Sequence, residues 1–279
     1  MTLREAEVAL EGAGIKTGAF DVLIMAEEAS GCSRASLLAS RGEDISHKAW
    51  FCRFYEMLQR RLRREPLQYI IGKWEFYGRS FTVTPDTLIP RPETEMLVDF
   101  AVKHLNPNAV VADLCCGTGA VGISVALEVG CRVICADISQ KALDVARQNA
   151  VKLGAADKIS FVLADVLAGD KPDGEFDMIL CNPPYVRSGD IDTLEPELSY
   201  EPRLALDGGD DGLLFYRAVT KNYADKLKPG GGFVYEIGYD QADDVKNIAK
   251  EHGFDCDVYK DSSGLQRMVV LKKTNRNEK

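Results

Sequence analysis

The stretch with the clearest chemistry is Asn182-Pro183-Pro184-Tyr185. It follows Glu175 to Cys181, an apolar run with the length and texture of a buried parallel strand. Neither proline donates an N–H and each fixes its φ, so the strand must end there. The tetrapeptide then sets a side-chain amide, stiff backbone carbonyls and an aromatic ring at a sheet edge. The Asn182 side-chain carbonyl and the Pro183 main-chain carbonyl can each accept one N–H of an NH₂ group. Held that way, a planar nitrogen with a delocalised lone pair can attack a methyl group, because charge developing on nitrogen is favoured. Tyr185 can stack on the flat amide or base. No general base is required at the start, since the proton can leave after transfer. As a bland alternative, the tetrapeptide is only a rigid loop.

A second constellation lies upstream. Gly117-Thr118-Gly119 with Gly122 makes a G-x-G-x-x-G string between a strand and a helix. Glycines there let a ligand approach the backbone, and the helix N-terminus favours a negative group. Asp137, at the end of the next strand, can accept from both hydroxyls of a ribose. Both features are shared by nicotinamide and methyl-donor sites. Asp165 ends a third strand, where a carboxylate can accept from an adenine amino group. As the lesser alternative, Asp113 or Asp137 is a strand-end cap and Asp165 a loop cap.

These residues need elements to position them. From residue 109 strands and helices alternate. Strands are expected at Val110–Cys115, Arg132–Asp137, Ile159–Asp165, Phe176–Cys181, Phe233–Ile237, Cys256–Tyr259 and Met268–Leu271. The alternation predicts a doubly wound, mostly parallel sheet, and the last pair an antiparallel edge hairpin. Helices are expected after Gly119, from Ser139 to Leu153, near Leu213 to Leu227 and near 241 to 252, with Lys228-Pro229-Gly230-Gly231-Gly232 as a turn. Pro92 suits the first turn of a helix through Met96 to Val102. Residues 1 to about 70 show helical spacing at Ala19–Ala29, Ser33–Ser40 and His47–Arg64. Arg60-Arg61-Leu62-Arg63-Arg64 reads as a solvated helix end or as a contact for an acidic partner or RNA. Gln68 to Val83 reads as a hairpin or paired short strands. Residues 272 to 279 are expected to fray.

The bulk properties narrow the class. The chain has 279 residues and 46% hydrophobic residues, enough for a large domain and a small one. The first 75 residues carry 11 basic and 11 acidic residues, so the net charge of −9 belongs to the remainder. An acidic catalytic half argues against a protein that lives on a phosphate backbone. No apolar run reaches the length of a membrane span, and the N-terminus is wrong for a signal peptide. The eight cysteines include no C-x-x-C pair, so buried reduced thiols are the expectation and no metal site is.

Together, several stretches resemble the HemK/PrmC family, the protein glutamine N5-methyltransferases of peptide chain release factors. They are Tyr69-Ile70-Ile71-Gly72 with Phe76-Tyr77-Gly78, Leu88-Ile89-Pro90-Arg91-Pro92-Glu93-Thr94-Glu95, Asp113 to Gly119, Asn182 to Tyr185, and Glu201-Pro202 through Ala205-Leu206 to Gly208-Gly209. The resemblance covers nearly the whole chain. It implies a Rossmann-like S-adenosylmethionine-dependent methyltransferase fold with seven strands and a small N-terminal all-helical domain. The implied division is a helical bundle at 1–67 that docks the release factor, a β-hairpin linker at 68–85 and a catalytic domain at 86–279. S-Adenosyl-L-methionine, leaving as S-adenosyl-L-homocysteine, would be held by Cys115, Cys116, Gly117, Thr118, Gly119, Asp137, Asp165, Val166 and Asn182. The glutamine of the Gly-Gly-Gln motif of class 1 release factors would be gripped by Asn182, Pro183, Pro184 and Tyr185, with Asn182, Pro183 and Tyr185 catalytic. A monomeric, cytoplasmic enzyme without direct nucleic-acid binding is expected. The family usually carries glycine where this chain has Cys115, and a Cβ there narrows the approach to the methionine part of the cofactor. Glu93, Glu95 and Glu236 either line the site or serve as surface and capping residues. The alternatives are an amino methyltransferase acting on adenine N6 in nucleic acid, one acting on a ribosomal-protein glutamine, and an NAD-binding oxidoreductase.

Overall fold

The computed structural model describes residues 1–273. The chain forms two compact units. One comprises residues 1–73 together with 195–200, the other residues 74–194 and 201 onward.

The first unit is helical. Helix α1 (Leu3–Gly12) begins with a reciprocal cap: Thr2 Oγ1 accepts from Glu5 N at 3.1 Å, and Glu5 Oε2 accepts from Thr2 N at 2.8 Å. Helix α2 (Gly18–Ser30) stops at Gly31, whose φ of 71° only glycine adopts freely. Helices α3 (Arg34–Ala39) and α4 (Phe51–Leu62) follow. Leu3, Leu10, Val22, Met25, Phe54 and Leu58 are buried and form the core. α4 starts at Phe51, so the expected helical residues from His47 to Trp50 lie in turns before it.

The arginine run departs from a solvated helix end. Arg61 is buried, with Nε 2.7 Å from Asp21 and Nη1 2.9 Å from Glu197. Arg64 reaches the other Glu197 oxygen at 2.7 Å, and Arg60 pairs with Glu65 at 2.5 Å. Tyr200 donates its hydroxyl to the Arg63 carbonyl at 2.7 Å. Buried Asp21 and the half-buried Glu65 and Glu197 therefore absorb three of these four cations. Pro66 ends one helix and opens the next, α5 (Leu67–Ile71), because a missing N–H costs nothing in a first turn. Gln68 to Ile71 are thus helical rather than part of a hairpin.

The hairpin proper pairs β1 (Lys73–Phe76) with β2 (Arg79–Thr82). Tyr77 and Gly78 both have positive φ, 49° and 68°, as a tight two-residue hairpin turn requires. Asn149 then straps the hairpin edge, accepting from Thr82 N at 2.7 Å and donating to Thr82 O at 3.0 Å.

The second unit is a seven-stranded sheet sandwiched by helices. In chain order it contains α6 (Glu95–His104), β3 (Val110–Leu114), α7 (Ala120–Val129), β4 (Arg132–Asp137), α8 (Gln140–Leu153), β5 (Ile159–Leu163) and β6 (Phe176–Cys181). Then come α9 (Leu214–Tyr223), β7 (Leu227–Glu236), α10 (Ala242–Glu251), β8 (Phe254–Lys260) and β9 (Gln266–Lys273). The sheet order is β5-β4-β3-β6-β7-β9-β8, parallel throughout except for β9, which runs antiparallel to both neighbours. The order of travel reverses between β3 and β6, so a crevice opens at their carboxyl ends. Leu114 is in register with Cys181, which brings residues 115–119 and Asn182 out side by side. Lys228 to Gly232 lie inside β7 rather than in a turn before it, and a register shift against β6 takes up the extra residues as a bulge. Lys272 and Lys273 belong to β9, and the rest of the tail expected to fray lies outside the described residues.

All eight cysteines are free. Cys116, Cys131, Cys135 and Cys181 are buried as expected, whereas Cys32 and Cys52 are exposed. Among the described residues no helix is long and apolar enough to cross a membrane.

Candidate active site

The cofactor loop leaves β3 in an unusual backbone. Cys115, Gly117 and Gly119 all have positive φ, at 57°, 52° and 75°. The Gly117 N–H donates to Asp137 Oδ2 at 2.9 Å and the Cys116 N–H to Ala136 O at 3.1 Å, so the loop is pinned to the end of β4. A Cβ on Gly117 would meet nothing within 4 Å, which leaves the backbone open to a ligand. Gly122 does something different. A Cβ there would stand 2.6 Å from Cys135 Sγ and 2.9 Å from Asp113 Oδ2, so this glycine lets α7 pack on the sheet.

A cavity of about 840 Å³, part of it open solvent, lies over this loop. Of the residues expected to hold a cofactor, Cys115, Gly117, Asp137, Asp165, Val166 and Asn182 line it. Cys116, Thr118 and Gly119 are not in the lining. All three are buried, and Thr118 offers its carbonyl to Asn149 Nδ2 at 3.1 Å. Asp113 also lies off the cavity, fully buried, with Oδ2 accepting from Gly122 N at 2.8 Å. Burial raises its pKa to about 7, against that hydrogen bond.

Asp137 Oδ1 accepts from Ser139 N and Oδ2 from Gly117 N, both at 2.9 Å. Each oxygen keeps a lone pair for a hydroxyl. Burial pushes its pKa up. Asp165 lies two residues beyond β5 and does cap its loop, with Oδ1 accepting from Leu167 N at 2.8 Å. It also lines the cavity, so the two readings coexist. Leu88, Ala142, Leu204 and Phe215 add apolar wall. An open backbone cradle, a carboxylate pair of acceptors at Asp137 and apolar walls fit a nucleoside ligand such as S-adenosylmethionine.

Asn182 and Pro184 face the same cavity, while Pro183 is buried outside its lining. The tetrapeptide is held from behind. Gln241 is buried and donates from Nε2 to the Tyr185 carbonyl at 3.0 Å. Val186 N donates to Leu206 O at 2.9 Å, and Gly208 N to Val186 O at 2.8 Å. The Tyr185 hydroxyl donates to Glu236 Oε1 at 3.3 Å, and the Thr94 hydroxyl to Glu236 Oε2 at 2.5 Å. Asn182 Nδ2 donates to Thr94 Oγ1 at 3.2 Å. Thr94 is supplied by a loop anchored on buried Glu201, which accepts from Ile89 N at 3.0 Å and pairs with Arg91.

Glu236 therefore lies directly behind the tetrapeptide, at the end of β7, and burial raises its pKa to about 7. Glu95 instead accepts from Tyr77 N at 2.7 Å and secures the hairpin, and Glu93 is exposed. The roles of Gln241 and Glu201 escaped the sequence reading. Glu201-Pro202 figures in the family resemblance without a role, and Gln241 stands among polar residues that give no local signal.

Comparison with known proteins agrees with this geometry. Residues 2–72 match the PrmC N-terminal domain and residues 93–198 the Methyltransferase small domain. The release factor glutamine methyltransferase of Neisseria gonorrhoeae is 40% identical over 243 residues, covering 86% of this chain and 88% of that protein. The protein of that name from Caulobacter vibrioides is 37% identical over 266 residues, covering 94% and 91%. A methyltransferase from Pyrococcus furiosus shares the fold at a TM-score of 0.55 and 18% identity, covering 72% of this chain and 91% of that one. With both halves of the chain matched and the cavity built at the sheet's switch point, the chain belongs to the release factor glutamine methyltransferase family.

Proposed function

We propose that the protein transfers a methyl group from S-adenosyl-L-methionine to the side-chain amide nitrogen of the Gly-Gly-Gln glutamine of class 1 peptide chain release factors, and so modulates translation termination. The observation that carries this reading is that Asn182 and Gly117 line one cavity at adjacent strand ends.

When bound, S-adenosylmethionine supplies an electrophilic methyl on a sulfonium. Gly117 and Asp137 would hold the cofactor's polar groups, and Asp165 and Val166 would meet its adenine. Asn182 Oδ1 and the Pro183 carbonyl each accept one N–H of the glutamine amide, which fixes the nitrogen and favours the positive charge that grows on it. Tyr185, its hydroxyl tied to Glu236, holds its ring flat against the amide. The proton leaves after transfer, so no side chain need act as a base beforehand.

The helical unit docks the release factor. Its exposed apolar side chains include Phe20 and Tyr55, 45% and 41% exposed. Changing Phe20→Ser should raise KM for the intact release factor far more than for a short glutamine peptide. The net charge of −9 supports a protein partner over direct binding to nucleic acid. The enzyme acts as a cytoplasmic monomer, and S-adenosyl-L-homocysteine is the second product.

Incubation with labelled cofactor and a purified release factor tests the whole reading. Label should appear on the Gly-Gly-Gln glutamine and vanish in a Gln→Ala release factor. Label in DNA or ribosomal RNA instead would overturn it.

A further inference from the structure

The side-chain amide of Asn182 has an accepting end and a donating end, and only the accepting end can hold an NH₂ group. The groups behind it determine which end turns outward. Glu236 is buried, 2% exposed, and its ionised carboxylate can only accept. The Thr94 hydroxyl donates to it at 2.5 Å and the Tyr185 hydroxyl at 3.3 Å. A hydroxyl has one proton, and that of Thr94 is committed to Glu236. Thr94 Oγ1 therefore offers only lone pairs to Asn182, which must turn Nδ2–H toward it, at 3.2 Å. Among the described residues Oδ1 takes no partner and remains the free end of an amide that lines the cavity.

We propose that Thr94 and Glu236 are positioning residues that fix the polarity of the Asn182 amide, keeping Oδ1 toward the methyl-accepting nitrogen. This rests on the glutamine reading above. A reversed Asn182 would oppose two donors across the site and leave both unpaired. The relay has a direction because a carboxylate ends it. If Glu236 is protonated it can donate to Thr94, which frees the threonine proton to point at Asn182 and turns the amide round.

The groups around Glu236 are few. Thr94 and Tyr185 face its oxygens, Tyr216 donates to its main-chain carbonyl at 2.9 Å, Glu93 disfavours its charge and Arg267 favours it. Arg267 is itself paired with Asp261 at 3.2 Å. Burial places the titration near neutrality, so the competent, ionised form grows as pH rises through about 7.

The test uses the full chain with an intact release factor and labelled cofactor. The variants are Thr94→Ser, Thr94→Val, Glu236→Gln and the Val/Gln double. We expect Thr94→Ser within about threefold of wild-type kcat, and Thr94→Val and Glu236→Gln down about 10²-fold, the scale seen when one catalytic hydrogen bond is lost. Affinity for the cofactor should stay within about threefold, and the double variant should be no worse than the poorer single one, as for members of one network. Wild-type kcat should rise with pH to about 7, and Glu236→Gln should lack that inflection.

A second readout needs no turnover. With ¹⁵N-asparagine labelling, the Asn182 amide, assigned by its loss in Asn182→Asp, should show a proton protected from exchange in wild type and Thr94→Ser but not in Thr94→Val. Wild-type kcat and an unmoved resonance in Thr94→Val would overturn the proposal. So would losses that multiply in the double variant, or a Thr94→Ser as impaired as Thr94→Val with a matching fall in Tm. If the wild type places no label on glutamine, the functional reading fails, while the resonance still decides the polarity of the amide.

Discussion

Arg91 and Glu201 form an ion pair across 110 residues of chain, and the same carboxylate accepts from the Ile89 N–H. Glu201 is buried, and among the described residues these two partners compensate its charge. The pair fixes the loop that delivers Thr94 to the site. Removing the carboxylate would leave Arg91 and a buried N–H without a partner. Glu201→Ala should cost about 1–3 kcal/mol, the usual cost of leaving a buried N–H unsatisfied, since Arg91 is part-exposed and keeps water. Urea unfolding checks the stability, and methyl transfer at saturating cofactor should fall more than tenfold.

Gly208 is required by its neighbour and not by its dihedral. A Cβ there would stand 2.7 Å from the Tyr185 Cα and 2.8 Å from the Pro184 carbonyl, both backbone. Backbone cannot swing away as a side-chain tip can. Gly208→Ala should displace Pro184 and Tyr185, lowering kcat at least tenfold while cofactor affinity, read by calorimetry, changes little.

Asp137 ties the cofactor loop to β4 and offers its remaining lone pairs to the cavity. Asp137→Ala removes both functions. Hydrogen bonds to a charged group contribute about 1.5–3 kcal/mol each, so cofactor affinity should drop about 100-fold. Calorimetric titration measures this without any methyl acceptor. Wild-type affinity in that variant would show that the ribose is held elsewhere.

Two buried carboxyls make stability depend on pH in an uncommon direction. Asp113 is raised from 3.8 to about 7 and Glu236 from 4.5 to about 7, in each case first by burial. Between those limits the unfolded chain has released protons that the native chain keeps. Each group's contribution is thus complete below its unfolded value and lost as pH rises to about 7, by at most about 1.4 kcal/mol per pH unit. Paired carboxylates such as Asp177 and Glu197, whose pKa values are lowered, oppose this trend. The difference between wild type and Asp113→Asn isolates one group. Asp113→Asn should gain on wild type steadily from pH 4 to 7, by denaturant titration at each pH.

Cys115 holds a φ of 57° that a side chain adopts at a cost of roughly 1 kcal/mol. Cys115→Gly should therefore relieve that strain and bind cofactor at least as well, since the side chain stands in the cavity where a ligand would lie. Cys115→Val, β-branched, should lower both Tm and affinity. A tenfold loss of affinity in Cys115→Gly would instead mean that the thiol touches the ligand.

Much of this was legible in the chain itself, and for local reasons. Two prolines after an apolar run end a strand wherever they occur, so Asn182 had to stand at a sheet edge. Asp137 was found because it ends the strand that follows the glycine loop and its helix. What escaped notice depended on distant partners. Arg61 looked solvated because Glu197, 136 residues away, gives no local sign of pairing with it. The link from Thr94 to Glu236 spans 142 residues and two elements that no periodicity connects. The proline and three glycines at 229–232 read as a turn, and only pairing with β6 reveals them as a bulged strand.

Residues 195–200 have a further consequence. They belong to the helical unit, where Glu197 meets Arg61 and Arg64, yet both their ends are joined to the catalytic chain. A protease that nicks the peptide bond after Lys73 would therefore sever one of three covalent crossings and release no intact module. The helical unit is accordingly not a detachable leader, and trimming it at residue 73 would strand a glutamate that has lost two guanidinium partners. Grafting it onto another methyltransferase would require transplanting two pieces of sequence in step.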